Sequence, residues 1–323
     1  MSSTGSVPDF STYEGFNLGP ILTPFFVGTV ISLILSGITI LQAWTYFPSK
    51  DRTFIQIIAA CMIMLDLIST GLISQGTWYY LIPRFGSLLP LQSLVPTLGA
   101  ECTISVVIIF ICQSYFVWQI LTVSGQRPYQ RVICGVIMVF AVTSFIGGMA
   151  CSIIMVTDKG NILMNRSYQF AVSAGIAKGA SSVTDILATA TFCWSLDASK
   201  TGVKRTDSII KRLISYIIQR GIVVTAIQTL FLLLFFLTES HTYWLALHVN
   251  VTRLYANTFF AMLNGRDNIR AKAQNTYTMT MAISGDTGGT YNQSFNASAG
   301  GQDVFNEDNK RIHVDKVVVV DNV

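Results

Sequence analysis

Seven long apolar stretches divide the 323-residue chain, and they constrain its fold more than any other feature. They lie at residues 18–46, 54–79, 94–123, 131–156, 170–195, 213–238 and 243–263. Each is long enough for an α-helix to cross a hydrocarbon core, which takes roughly 20 residues. The stretches are continuously apolar, without the alternation of barrel strands, and a backbone in lipid must satisfy its own hydrogen bonds. The sequence therefore predicts an all-α, polytopic membrane protein with a seven-transmembrane-helix bundle.

The distribution of Lys and Arg between the apolar stretches predicts the orientation of the chain. Basic residues collect in cytoplasmic loops, so the side that is richer in them is expected to face the cytosol. One side carries twelve and the other three, which places the N-terminus outside and the C-terminus in the cytoplasm. The twelve are Lys50, Arg52, Arg127, Arg131, Lys200, Lys204, Arg205, Lys211, Arg212, Arg266, Arg270 and Lys272, and the three are Arg84, Lys159 and Arg166.

The two ends of the chain differ in composition from the apolar stretches. Residues 1–17 are polar and lack the basic region of a cleavable signal peptide, so they are expected to form a short extracytoplasmic N-terminus. Residues 18–263 form the predicted transmembrane domain. Residues 264–274 are expected to form an interfacial basic segment. Residues 275–323 are rich in Gly, Ser, Thr, Asn and Asp, which predicts a disordered cytoplasmic tail.

Four charged residues lie deep within the predicted helices. They are Asp66, Lys178, Asp185 and Arg253. An ionised side chain at that depth costs several kcal/mol unless it is paired or hydrated, so we expect all four to face the bundle interior. Asp66, Asp185 and Arg253 lie at a similar depth, roughly 16 Å from the cytoplasmic helix ends. Together with Asn257 they predict an intramembrane polar layer, in which Asp66 pairs with Arg253.

Lys178 lies about two helical turns nearer the outside than this layer. Glu101 and His248 lie at a similar height in the third and seventh stretches. We interpret Lys178, Glu101 and His248 as a ligand-binding layer that lines a cavity open to the outside. Two alternatives stay open at this point. The buried charges can serve only to fix helix register, or they can line a water-filled path for ions or protons.

Two further sites are predicted in the connections. Asn165-Arg166-Ser167 is an N-glycosylation sequon on the outer side, which predicts a glycan at Asn165, with an unmodified loop as the alternative. The fifth connection is the longest on the cytoplasmic side, and it predicts a docking surface for a cytosolic partner, or else only a topology determinant beside anionic lipid. Its basic residues are Lys200, Lys204, Arg205, Lys211 and Arg212.

No motif in the sequence predicts catalysis, a cofactor or a metal. The chain has three histidines and contains no HExxH, GxSxG or GxxxxGK motif. All six cysteines fall within the apolar stretches without zinc-type spacing, so neither a disulfide framework nor a metal site is expected. The net charge of +4 is explained by loops that face anionic lipid, which gives no reason to expect a nucleic-acid partner. We therefore do not expect an enzyme.

Several segments of the sequence are typical of one protein family. They are residues 196–213, which read LDASKTGVKRTDSIIKRL, then Gly221 and Thr225, Leu254-Tyr255-Ala256-Asn257, and Met262-Leu263-Asn264-Gly265-Arg266. These segments resemble those of a fungal, mushroom-type family of seven-helix integral membrane proteins that is catalogued only as a domain of unknown function. The resemblance covers about residues 15–270 and implies a fold and a membrane location, but no activity. It implies recurring positions at Asp66, Asp185, Tyr255, Asn257, Asn264 and Arg266, whereas Lys178 and Arg253 are not among them.

As a function, these observations favour a receptor-like sensor of an external small molecule, in a plasma membrane or endomembrane. The expected partners are the lipid bilayer, the external ligand and a cytosolic protein at the fifth connection. A transporter or channel, or a membrane scaffold without a ligand, are the alternatives. A sensor predicts a pocket at Lys178 and a closed inner half. A transporter predicts a polar route that continues past Asp66 to the cytosol.

Overall fold

The computed structural model describes residues 19–48, 51–83, 95–124, 128–157, 167–198, 204–237 and 243–284. Within these ranges the chain forms seven α-helices and no strand, so the all-helical prediction is confirmed there. The helices are α1 (Gly19–Tyr46), α2 (Thr53–Leu81), α3 (Pro96–Val123), α4 (Pro128–Thr157), α5 (Tyr168–Asp197), α6 (Lys204–Leu237) and α7 (Tyr243–Ser284). The chain divides into two compact units, Met1–Asn275 and Thr276–Val323, and the contacts described below lie in the first.

Five of the described helices are long and apolar enough to cross a membrane. These segments are Leu22–Tyr46, Thr53–Leu81, Pro96–Val123, Pro128–Thr157 and Ile217–Leu237. The protein is therefore a multipass helical membrane protein. The helices α5 and α7 are less apolar because they carry Lys178, Asp185 and Arg253 together with many hydroxyl and amide side chains.

Large apolar side chains cover the outside of the bundle. Leu41 is 69% exposed, Trp44 83% and Ile222 63%. Apolar surface of this extent is unfavourable in water, but it matches hydrocarbon. The interior, in contrast, contains many hydroxyl, amide and charged side chains. This inside-out distribution agrees with a lipid environment.

The interior has two apolar clusters separated by a polar belt, as the order of residues along α7 illustrates. Trp244 and Leu245 belong to one apolar cluster, which also contains Phe25 of α1. Phe259, Phe260, Met262 and Leu263, further along α7, belong to the second cluster. His248 and Arg253 lie between them and are buried. The belt therefore sits near the middle of the helices, where lipid would leave polar groups without partners.

An asparagine ladder joins α7 to α1. Each of three asparagine Nδ2 groups donates to a backbone carbonyl oxygen of α1: Asn250 to Gly28 at 3.0 Å, Asn257 to Leu35 at 2.9 Å and Asn264 to Gln42 at 2.8 Å. The rungs are seven residues apart on both helices, which is about two turns. Because the residue numbers increase together, α1 and α7 are parallel and in one fixed register.

Glycine at position 28 allows the close approach of these two helices. A Cβ atom at Gly28 would lie 2.7 Å from the Cα atom of Ala246, which is too short for any side chain. Small residues of this kind let helix backbones approach each other in membranes. The short separation is what brings the Asn250 amide within reach of the Gly28 carbonyl oxygen.

Two helix boundaries differ from the sequence-based prediction. The helix α6 begins at Lys204, nine residues before the predicted start at 213. The helix α7 runs to Ser284, beyond the predicted end of the seventh stretch at residue 263. Apolarity measures which residues prefer lipid, which is a different property from the propensity to form a helix. Gly202 and Gly285 lie just outside these two helix ends.

Candidate functional site

An ion pair between Arg253 of α7 and Asp66 of α2 lies in the polar belt, as the sequence predicts. The Arg253 Nη1 atom is 2.6 Å from Asp66 Oδ1 and also donates to the Asp66 backbone oxygen at 3.0 Å. Its Nε and Nη2 atoms donate to Ser32 and Ser69, each at 3.0 Å. The second carboxylate oxygen of Asp66 accepts from Ser36 at 2.9 Å. We call these five residues the Arg253 network.

The Arg253 network is closed to solvent and internally satisfied. Both Arg253 and Asp66 are 0% exposed. All three nitrogens of the guanidinium donate hydrogen bonds, and both carboxylate oxygens accept one. A buried ion pair tolerates desolvation only with such supporting hydrogen bonds. The network therefore holds α1, α2 and α7 together.

A chain of hydrogen bonds links the Arg253 network to Glu101 of α3. The Ser69 hydroxyl donates to Glu101 Oε1 at 3.1 Å, and Ser105 donates to the same atom at 2.6 Å. The other oxygen, Oε2, lies 3.4 Å from His248 Nε2 of α7. Both oxygens of Glu101 are thus engaged by α2, α3 and α7. The Arg253 network is therefore continuous with Glu101 and His248, two of the three predicted ligand-binding residues.

A second polar group, the Tyr255 cluster, consists of Tyr255, Asp185, Ser181, Gln228 and Gln113. The Tyr255 hydroxyl donates to Asp185 Oδ2. It also accepts from Gln228 Nε2 at 2.6 Å and lies 3.1 Å from Ser181 Oγ. Gln113 Nε2 donates to Ser181 Oγ at 3.0 Å. These contacts connect α3, α5, α6 and α7.

The residues of the predicted polar layer divide between these two groups. Asp185, which the sequence places at one depth with Asp66, Arg253 and Asn257, bonds with Tyr255. Equal depth in the bundle does not determine which way a side chain points. Asp185 contacts α7 at Tyr255, whereas Asp66 contacts α7 at Arg253. Asn257 does join the same region, through the ladder to α1 and a 3.0 Å bond to the Arg253 backbone oxygen.

A cavity of about 50 Å³ lies between α3, α4, α5, α6 and α7. The predicted ligand-binding residues Lys178, Glu101 and His248 all line it. Most of the remaining wall is apolar, with Phe110 and Phe145 among its aromatic side chains. A cavity of this volume has room for a few water molecules or for a very small solute. The structure thus brings together the three residues that the sequence singled out for ligand binding.

Lys178 is the unusual member of the cavity wall. Its side chain is 9% exposed, and its Nζ atom lies 5.4 Å from the ring centroid of Phe231. In the described part of the chain, the ion pairs of the belt join Arg253 to Asp66 and His248 to Glu101, and none includes Lys178. A cation above an aromatic face is stabilised by the ring quadrupole, but by less than a carboxylate would provide.

Most residues of the predicted docking surface and the predicted glycosylation site lie outside the described residues. Asn165 and Lys200 belong to undescribed segments, and the side chains of Lys204, Arg205 and Arg212 are likewise not described. Lys211 is exposed on α6. Both sites therefore stay predictions.

Sequence reasoning missed the hydroxyl and amide side chains that complete the site. Ser69 bridges Arg253 to Glu101, and Gln113, Ser181 and Gln228 surround Tyr255. A search for charges in apolar segments does not find them, because serine is common in membrane helices. A weak signal was present, because an amide inside a long apolar stretch needs partners, but Gln113 and Gln228 are two of seven glutamines in these stretches.

Five of the six positions that the resemblance singled out, Tyr255 included, make contacts between helices. Asp66 bonds with Arg253, Asp185 with Tyr255, and Asn257 and Asn264 with α1. The side chain of Arg266 is not described. We interpret these positions as parts of the helix packing, whereas Lys178 and Glu101 belong to the cavity.

Comparisons with known proteins give one family match. No curated protein and no solved structure matches the chain. Residues 181–268, from the middle of α5 into α7, match a family described as a Family of unknown function (DUF6534). The matched segment includes Asp185, Arg253, Tyr255 and the cavity residue His248, and Asp66, Glu101 and Lys178 lie outside it. The suspected resemblance to an uncharacterised family is thereby confirmed, and the segment from α5 to α7 is similar to DUF6534.

Proposed function

We propose that this protein is a receptor-like sensor of a small molecule that binds in the cavity at Lys178. The observation that carries the proposal is the Lys178 ammonium, which is buried, lacks an ion pair among the described residues and lines a cavity. A buried cation without an anion is costly, and a bound ligand that accepts hydrogen bonds removes the cost. The sequence resembles a fungal family of seven-helix membrane proteins, and the fold and membrane location of that family suit this role.

The proposal includes seven membrane spans with the N-terminus outside. The helix α7 runs parallel to the spanning helix α1 from Asn250 to Asn264, over roughly 21 Å. The helix α5 runs antiparallel to α4, because Gln130 bonds with Ser195 and Ser144 with Ala177. A helix that packs along a spanning helix over this length shares its depth in the bilayer. The excess of basic residues in alternate connections supports the orientation.

The surroundings of the cavity favour signalling over transport. Asp66 is fully buried with both oxygens bonded, and the larger apolar cluster, which includes Met62 and Ile120, lies on one side of the belt. This arrangement supports the closed inner half that a sensor requires. The cavity wall includes residues from five helices, so a change in its occupancy acts on all five at once.

A screen for thermal stabilisation tests the proposal. The purified full-length protein in lipid nanodiscs is heated with a library of very small polar and anionic molecules. We expect at least one compound to raise the unfolding temperature of the wild type but not that of Lys178→Met. Lys211→Met is the matched control, because Lys211 is an exposed lysine away from the cavity.

The outcome also separates the three classes of function. If every stabilising compound acts equally on Lys178→Met and on the wild type, the cavity is not the ligand site and a scaffold becomes the better account. If a stabilising compound is also carried across sealed proteoliposomes, the protein is a transporter and the proposed sensor role is wrong.

A further inference from the structure

We infer that the ligand of the cavity is a short-chain monocarboxylate, whose carboxylate binds the Lys178 ammonium and whose hydrocarbon part contacts the aromatic wall. The inference rests on the proposed function and names the class of molecule that the site takes. Its basis is the presence, in one small and mostly apolar cavity, of a single cation without an ion-pair partner in the described residues.

The charges around the cavity call for an anion. Arg253 and Asp66 neutralise each other at 2.6 Å. Glu101 also lines the cavity, but its two carboxylate oxygens already contact Ser69, Ser105 and His248. Turning Glu101 toward Lys178 would break three contacts to form one. A carboxylate from outside provides Lys178 with charge-assisted hydrogen bonds without breaking any of them.

The size of the cavity limits the anion to very few atoms. Its volume of about 50 Å³ is roughly a third of that of the apolar cavity of about 150 Å³ that binds benzene, so it suits only a very small molecule. Acetate and propionate are of this size. Amino acids, sugars and phosphate esters are too large for the cavity as it stands.

The wall of the cavity selects a carboxylate over an inorganic anion. Phe110 and Phe145 form a tilted aromatic pair, with ring centroids 4.8 Å apart, and both line the cavity with Val106 and Ile109. An ion such as chloride gains little from this surface. A methyl or ethyl group gains burial in an apolar environment, and each added methylene that fits raises the affinity by about fourfold.

Isothermal titration of the full-length protein in nanodiscs tests the inference. The probes are acetate, propionate, butyrate and hexanoate, with chloride and propionamide for comparison. We expect propionate to bind about fourfold more tightly than acetate, and hexanoate to bind more weakly because the cavity cannot hold it. Propionamide has the shape without the charge, so it should bind about 10- to 100-fold more weakly than propionate.

Two variants assign the binding to the cavity. Lys178→Met should weaken propionate binding by about 10- to 100-fold, and Lys211→Met should not change it. Ala141→Val adds volume at a residue that lines the cavity and keeps Lys178, so it should reduce propionate binding more than acetate binding. If Lys178→Met fails to fold, the carboxylate series on the wild type and on Ala141→Val still decides the matter.

The inference is overturned if chloride competes as well as propionate, if propionamide binds equally well, or if no carboxylate binds. In the last case, a neutral compound that stabilises the protein through Lys178 would leave the proposed sensor role intact. Conversely, propionate that binds through Lys178 without moving any helix supports the ligand class and contradicts the sensor role.

Discussion

Removal of either member of the Asp66–Arg253 ion pair should destabilise the protein strongly, and removal of both should not destabilise it further. The relevant variants are Asp66→Leu, Arg253→Met and the double variant. Both residues are 0% exposed, so each single variant leaves one buried charge without its counterion. The double variant removes both charges and leaves only neutral serine hydroxyls around the site.

The expected magnitudes follow from the geometry. Breaking a buried ion pair on one side costs about 3–5 kcal/mol of unfolding free energy. If the two sites were independent, the double variant would lose about 6–10 kcal/mol. Because they contact each other at 2.6 Å, we expect it to lose no more than either single variant, which is a coupling energy of at least about 3 kcal/mol.

Reversible unfolding in mixed micelles, with the denaturing detergent titrated, measures these free energies for the four proteins. Ser36→Ala is a useful control, because it removes one hydrogen bond to the Asp66 carboxylate but keeps both charges, and it should cost only about 1.5–3 kcal/mol. Additive losses in the double variant would refute the reasoning, since the two residues would then not stabilise each other.

Three further predictions concern the packing and the topology. Gly28→Ala should lower stability by at least about 1–3 kcal/mol, because its Cβ atom would lie 2.7 Å from Ala246 Cα, whereas Gly37→Ala has nothing within 4 Å and should be neutral or stabilising. Tyr255→Phe removes the hydrogen bond that the Tyr255 hydroxyl donates to Asp185 and should cost about 1–3 kcal/mol in the same unfolding assay. An epitope tag at the N-terminus should be labelled on intact cells, and one at the C-terminus only after permeabilisation; the opposite pattern would contradict the orientation.

Much of the fold follows from the sequence alone. The length and apolarity of each stretch predict a helix, and depth along the helices predicts that Asp66 meets Arg253. The start of α6 and the end of α7 cannot be predicted from apolarity. Residues 204–212 and 275–284 are largely polar, yet they are helical. Helix propensity and capping influence where a helix ends, and they are different properties from hydrophobicity.

The candidate site is less predictable than the fold, because depth gives height but not direction. Asp185 and Arg253 lie at a similar height, yet Asp185 bonds with Tyr255, two residues further along α7. The residue that connects the layers is Ser69, which carries no charge and is one of many serines in the apolar stretches. The rotation of each helix about its axis depends on packing, as in the Gly28 contact, and no single stretch of sequence contains that information.

The central claim is that a ligand in the cavity moves the helices around it, and a spin-label distance between α5 and α6 tests it most directly. Labels at positions 194 and 218, occupied by the exposed residues Trp194 and Ile218, report on the two helices without entering the cavity. In a background without native cysteines, we predict that a compound that binds through Lys178 shifts this distance by about 1–2 Å or more. An unchanged distance distribution at saturating compound would contradict the sensor role.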